Sequence, residues 1–303
     1  MSRKPRSKTA IGLIASINAS CLFALFPAYV LLMPEQAQSG NWLAAQRIVW
    51  SCVILMFGLG YFGQFKQLLA LVRQWRMYPI YALAALLVGC QFWLFLWAPT
   101  QGQTLSVALG YFALPLVLVV VGRFVYQERL RFLQWIAVAI ASCGVAYAYL
   151  LAQGLSWIVL MVALGYPMYF MLRRRYPLPS HLAFSLDNLF LLPVAIIYIL
   201  SFHSQIIAFE AFSAWIYYLG LGVLGSISML LFLLASRSLS LTIFGLMSYL
   251  EPTLVFAVGW LLGERLDPGQ WPIYLLIVLA LLVLATDGLI HIYQQRRAVR
   301  PSQ

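Results

Sequence analysis

Four ionisable side chains, Arg47, Asp187, Glu251 and Asp287, stand inside long apolar stretches of this sequence. A charge in hydrocarbon is costly, so each is either a working group or a group satisfied by a partner. Arg47 is suited to orienting anionic groups of a solute or an outer gate, and Asp187 to an inner gate. The alternative for both is that neighbouring carbonyls or hydroxyls satisfy them and they only lock helix packing. Glu251 falls about 12 residues into its apolar run, hence about 18 Å deep and close to the middle of a bilayer. Lost hydration there favours the neutral acid, and a nearby cation such as Arg47 favours the charged one. Such a carboxyl can exchange a proton or bind a cationic solute group; its alternative is a hydrogen-bonded acid that joins helices.

Pro115 and Pro252 fall near the middle of two further runs, where each removes a backbone donor and frees the carbonyl four residues earlier, at Tyr111 and Ser248. A broken helix there exposes polar backbone to a site, whereas a static kink is filled by a neighbour. Trp50, Gln91, Trp93, Tyr111, Tyr166, Tyr169, Asn188 and Tyr249 lie at similar depth and can line a cavity for a flat or amphipathic solute. Aromatic residues in membrane helices also simply pack or face lipid. The amides Asn18, Gln91 and Asn188 are stronger candidates, because an amide in that setting needs a partner or water. The expected substrate-binding set is therefore Arg47, Trp50, Asn18, Gln91, Trp93, Tyr111, Tyr166, Asn188 and Tyr249, with Glu251, Asp187, Pro115 and Pro252 for coupling or gating. Gly220, Gly222 and Gly225 are expected to permit close helix contact. Cys21, Cys52, Cys90 and Cys143 lie inside apolar runs without CxxC spacing, and His181, His203 and His291 are far apart, so neither a metal site nor a cofactor is expected.

The elements that must position these groups follow from composition. Of 303 residues 63% are hydrophobic and 9% charged, too little charge to coat a soluble domain of this length. The net charge of +11 does not signal nucleic acid, because the bases sit in short clusters between apolar runs. Ten runs have the length of about 20 residues that a bilayer core demands, near 9–32, 41–63, 78–97, 103–125, 131–152, 155–172, 181–202, 212–236, 239–262 and 269–293. The first is too long for the apolar part of a cleaved signal and should stay as a helix. Bases gather in alternate loops: Arg3 to Lys8, Lys66 to Arg76, Arg123 to Arg131, Arg173 to Arg175, Arg237, and Arg296 to Arg300. Cytoplasmic loops retain such residues, so both termini are expected to be cytoplasmic, with Arg265 opposite and Arg47 within a helix. Arg47 and Asp187 start from opposite faces at equivalent depth, which separates them by roughly 12 Å along the membrane normal and argues against a direct pair.

The layout repeats. Glu128-Arg129-Leu130 with Gln134-Trp135 recurs as Glu264-Arg265-Leu266 with Gln270-Trp271, each downstream of a proline at a nearly matching distance. Taken singly these residues read as helix-end charges with an interfacial Trp; taken together they indicate duplication. The halves are 1–153 and 154–303. Five helices per half is odd, so the second half enters the membrane inverted, the plan of secondary transporters.

The stretches Gln91-Phe-Trp-Leu-Phe-Leu-Trp-Ala98, Ala108-Leu-Gly-Tyr-Phe-Ala-Leu-Pro-Leu116, Gln127-Glu-Arg-Leu130 and Gln134-Trp135 resemble the RarD-like branch of EamA-type transporters in the drug/metabolite transporter superfamily. Arg47-Ile-Val-Trp-Ser51 and Tyr249-Leu-Glu-Pro-Thr-Leu254 fit the same resemblance, which covers most of the chain. It implies ten helices in an inverted repeat, a central substrate cavity and export of metabolites. It also implies Asn before the first of the two prolines and Gly before the second, where this chain has Leu114 and Glu251. The expected function is a secondary transporter of a small polar or amphipathic, amino-acid-like or drug-like metabolite in a bacterial-type inner membrane. No phosphate-binding loop is present to drive it with ATP, so the expected partners are the small-molecule substrate, the lipid bilayer and protons. A homodimer stays open. A membrane-embedded enzyme would want a nucleophile with its base or a His and acid cluster, which the scattered histidines do not supply. A helical assembly protein would not need inverted halves with kinked central helices.

Overall fold

The computed structural model describes residues 5–33, 38–152, 156–202, 212–261 and 268–299, and no strand occurs among them. In lipid no water satisfies a bare backbone group, so apolar runs of this length close their hydrogen bonds internally as helices. They are α1 (Pro5–Leu31), α2 (Gly40–Tyr61), α3 (Phe65–Val72), α4 (Tyr78–Thr100), α5 (Thr104–Phe124), α6 (Phe132–Leu151), α7 (Trp157–Arg175), α8 (Ser180–Phe202), α9 (Phe212–Ser238), α10 (Leu241–Ser248), α11 (Leu250–Leu261) and α12 (Trp271–Val299). Among the described residues nine helical segments are long and apolar enough to cross a membrane, α10 and α11 counting as one. The sixth expected run forms α7, whose 19 residues end in Arg173, Arg174 and Arg175 and are correspondingly less apolar. The repeat copy at Glu264, Arg265 and Leu266 lies outside the described residues, whereas Gln270 and Trp271 lead into α12.

Two features go beyond the ten runs. α3 is a short helix whose Leu68 is buried beside Leu59, Tyr81, Leu182 and Leu186 while Phe65 and Leu69 stay exposed, a pattern suited to a membrane interface. The ninth run is not one helix. Pro252 cannot donate to the Ser248 carbonyl, and the chain breaks at that point: Tyr249 stands in a turn between α10 and α11. Pro115 behaves differently, because α5 runs unbroken through it.

Packing places α1 against α9 and α11, α2 against α8 and α9, α4 against α7 and α8, α5 against α7 and α10, and α6 against α12. The core is aromatic, with Phe26, Trp42, Phe92, Tyr169, Phe170, Phe184 and Phe244 fully buried. Val53, Phe57, Leu86, Ile197, Leu200 and Leu282 are exposed, the outward apolar surface that a lipid solvent calls for.

Close approach is sharpest where α2 begins. A Cβ on Gly40 would collide with the Leu96 carbonyl and come within 2.7 Å of Trp97 Cα, both backbone atoms that cannot step aside. Gly58, in the same helix, has open space around it. Gly40→Ala is expected to lower stability by about 1–3 kcal/mol, with Gly58→Ala neutral or slightly stabilising. Thermal unfolding of the two variants in detergent checks this.

Candidate functional site

Charge pairing singles out the site. The described residues hold four acids, Glu128, Asp187, Glu251 and Asp287. Three of them are in ion pairs: Arg131–Asp287 at 2.5 Å, Arg174–Glu128 at 3.5 Å and Arg173–Asp187. Glu251 is in none. Two arginines are buried, Arg173 at 7% exposure and Arg47 at 2%; the first is in a contact ion pair, whereas the second has its counter-charge, Glu251, beyond ion-pair distance. A buried charge held out of contact with its counter-charge is only partly compensated for its lost hydration.

Arg47 and Glu251 line one cavity with Phe23, Gln91, Phe92, Phe95, Tyr111 and Tyr166, contributed by α1, α2, α4, α5, α7 and α11. The Arg47 guanidinium lies over Phe92 at 4.0 Å and Phe26 at 4.8 Å, so ring faces hold the cation while leaving donors free. Its Nε and one Nη have no hydrogen-bond partner. Space for it exists because residue 225 has no side chain: a Cβ there would stand 2.8 Å from Nε. Gln91 is fully buried; its amide nitrogen donates to the Met161 carbonyl at 2.8 Å, and its Oε1 has no partner. Gly165 makes way for that amide as Gly225 does for Arg47. The cavity thus offers unspent donors on Arg47, an unspent acceptor on Gln91, a carboxyl on Glu251, and aromatic walls. The free space among these side chains is ≈ 10 Å³, room for about one water molecule, so in this conformation the cavity is closed down around its own groups.

The other candidates lie elsewhere. Asp187 is fully buried and shared between Arg173 and the Tyr169 hydroxyl, which donates to it at 2.6 Å. Arg173 therefore does not belong to the loop where the charge pattern put it. It occupies the last turn of α7, and its long side chain turns back between helices to reach Asp187 and the Ala183 carbonyl at 3.2 Å. Asn188 donates to the Phe184 carbonyl of its own helix at 2.9 Å. Trp50 packs edge-on to Trp215 and against Gly222, and Tyr29 sits over Gly220, so these α9 glycines do receive close neighbours. Tyr249 is buried beside Leu246 and Ile277. Asn18 is exposed and donates to the Ile14 carbonyl, and Trp93 is 37% exposed, stacks on Trp97 and donates to Asn41. Asp287 pairs with Arg131 and accepts from Gln134 at 3.2 Å, tying α12 to α6.

Phe23, Phe92 and Phe95 complete the lining without having been singled out. Gln91 and Phe95 are four residues apart and so share a helix face, a spacing from which Phe95 could have been found. Nothing in the sequence distinguished Phe23 from lipid-facing neighbours. No group of His, Cys, Asp and Glu suited to a metal ion occurs among the described residues.

No family model matches the chain. The chain is 38% identical over 294 residues to the chloramphenicol-sensitive protein RarD of Pseudomonas aeruginosa, covering 94% of this chain and 97% of that protein. It is 31% identical to an uncharacterized transporter of Haemophilus influenzae, covering 91% and 94%, and 29% identical to protein RarD of Salmonella typhi, covering 96% and 98%. A protein known by its crystal structure superimposes with a TM-score of 0.65 over 93% of this chain and 97% of its own at 20% identity, a likeness of fold alone.

The Arg173–Asp187 pair generates a prediction separable from the cavity. Asp187→Asn leaves Arg173 buried and uncompensated and should cost about 3–5 kcal/mol, with the double variant Arg173→Met, Asp187→Leu recovering much of that loss. Thermal unfolding in detergent reads both; a tolerated single variant would show that the pair is not what holds α7 to α8.

Proposed function

This chain belongs to the RarD family of membrane transporters, and we propose that it is a secondary transporter whose cavity binds a small metabolite carrying both an anionic and a cationic group, as an amino acid does. One observation carries the proposal: the acid and the buried base that lack ion-pair partners among the described residues face the same cavity. Arg47 would take the anionic group, Glu251 the cationic one, and Gln91 Oε1 would accept a hydrogen bond, while Phe23, Phe95, Tyr111 and Tyr166 enclose an apolar body. Between transport steps Glu251 can hold a proton in place of the substrate's cation, which links transport to a proton gradient. The direction is export, as in the resemblance drawn from the sequence. An enzyme reading lacks support, since the cavity lining holds no nucleophile with a base beside it.

The inverted-repeat reading, with halves 1–153 and 154–303 and α7 as a tenth span, draws support from packing. Laying the second half on the first pairs α1 with α7, α2 with α8, α4 with α9, α5 with α10–α11 and α6 with α12. Under that exchange the contact of α1 with α9 becomes that of α7 with α4, α5 with α7 becomes α10–α11 with α1, and α2 with α9 becomes α8 with α4. The contacts of α2 with α8, α5 with α10 and α6 with α12 map onto themselves. Alternating access by rocking one half against the other follows from such a plan. The arginine-rich face is cytoplasmic and the protein sits in the inner membrane.

Three outcomes test this reading. A reporter fused to the C-terminus should behave as cytoplasmic; a periplasmic signal would break the ten-span topology. Arg47→Ala should keep expression and thermal stability near the unaltered level while flux in liposomes falls by about tenfold or more, the loss of one charged contact to solute. A variant that accumulates poorly but transports normally would make Arg47 a packing residue. Glu251→Gln should retain exchange between equal substrate pools and lose pH-gradient-driven accumulation, since it cannot titrate. Accumulation with unaltered rate and pH dependence would remove Glu251 from coupling.

A further inference from the structure

The cavity is separated from the arginine-rich face by two layers that the transport reading does not use. Along α7, Tyr166 lines the cavity, Phe170 follows one turn later and Arg174 one turn after that, steps of about 6 Å each. Along α10 and α11 the order is reversed: Leu241 begins α10, Phe244 lies one turn on, and Glu251 follows past the break. On α9, Phe232 precedes Ser236 by one turn. Phe170, Phe232 and Phe244 meet with ring centroids 4.8 to 5.6 Å apart, and Tyr166 stacks on Phe170 at 5.9 Å. This aromatic plug stands beneath the cavity, and the polar layer closes over it.

Glu128 organises the polar layer. It comes from the segment between α5 and α6, and its two carboxylate oxygens accept from the backbone N–H of Leu241 at 2.7 Å and Thr242 at 2.8 Å. A helix begins with N–H groups that its own turns cannot satisfy, and a carboxylate meets both that deficit and the positive end of the helix dipole. Ser240 caps the next N–H, that of Ile243. Arg174 completes the joint: it pairs with Glu128 and donates to the Ser236 and Leu239 carbonyls at the end of α9, at 3.2 and 3.1 Å. Gly122 permits the approach, for a Cβ there would lie 2.8 Å from Glu128 Oε2 and 2.6 Å from Thr242 Oγ1.

We propose that Glu128 is the latch of the gate on the arginine-rich face: by capping α10 it holds Phe244 in the plug, and its release lets α10 swing about the break at Tyr249. The capped half-helix is eight residues long and leads, past that break, to Glu251, so the latch and the cavity carboxyl sit at the two ends of one lever. The inference rests on the transport reading, since it gives the cavity a gate.

The test needs no substrate. In a variant whose four cysteines are replaced, Phe23→Cys on the cavity wall reports access to a membrane-impermeant thiol reagent applied from the arginine-rich face. Glu128→Ala should raise its labelling rate from that face by about tenfold or more, and Glu128→Gln, which keeps one acceptor, by less. Labelling at the unaltered rate overturns the proposal, and so does lower thermal stability without faster labelling, which would mark Glu128 as a structural cap alone. Should Glu128→Ala fail to accumulate, Glu128→Gln carries the same criterion. Faster labelling in a protein that moves no solute in liposomes would keep the gate and remove the transport reading; transport with unaltered labelling would do the reverse.

Discussion

Everything in this molecule depends on where charge is left unpaired in a medium that penalises it. An ion removed from water loses several kcal/mol of hydration, and a partner returns this only in good geometry. Among the described residues three of the four acids are in ion pairs: Asp187 with Arg173, Asp287 with Arg131, Glu128 with Arg174. Against that background the unspent guanidinium donors of Arg47 stand out, because ring faces hold the cation without neutralising it. Those donors, with Glu251 in the same lining but out of ion-pair contact, are what the proposed binding site is built on.

The paired charges do a different task from the unpaired ones. Arg131 and Asp287 tie α6 to α12 at the edge of the molecule, and Arg173 with Asp187 fixes the turn from α7 to α8. The first joins helices that pack side by side; the second joins consecutive helices that each pack on α4. Glu128 instead meets the start of a half-helix that ends at the break before Pro252, so its bonds cap an element joined to its continuation only through that break.

Much of this was legible before any coordinates. Each apolar run reads as a helix because lipid leaves the backbone no alternative, and Arg47, Gln91, Tyr111, Tyr166 and Glu251 are candidates from residue type and depth alone; the structure brings these five to one cavity. Depth does not give direction. Asn18 and Trp93 sit at comparable depth but point away, since facing is set by helix rotation, which a uniformly apolar run does not encode. Arg173 was hidden in a triplet of arginines that looks like loop charge; only the return of α8 beside it shows that its side chain turns inward. Glu128 reads as an ordinary helix-end acid, because the helix it caps lies 113 residues further along the chain.

The central claim is that Arg47 and Glu251 are two ends of one binding site, and ligand-induced stabilisation of the purified protein tests it most directly. A ligand that binds only the folded state raises the unfolding temperature, so a panel of small amino acids can be set against their esters, which lack the anion, and their N-acetyl forms, which lack the cation. The account predicts that compounds carrying both charges stabilise the unaltered protein, that neither singly charged form matches them, and that Arg47→Ala and Glu251→Gln each abolish the response. Equal stabilisation by esters or N-acetyl forms, or a response that survives in both variants, would contradict it.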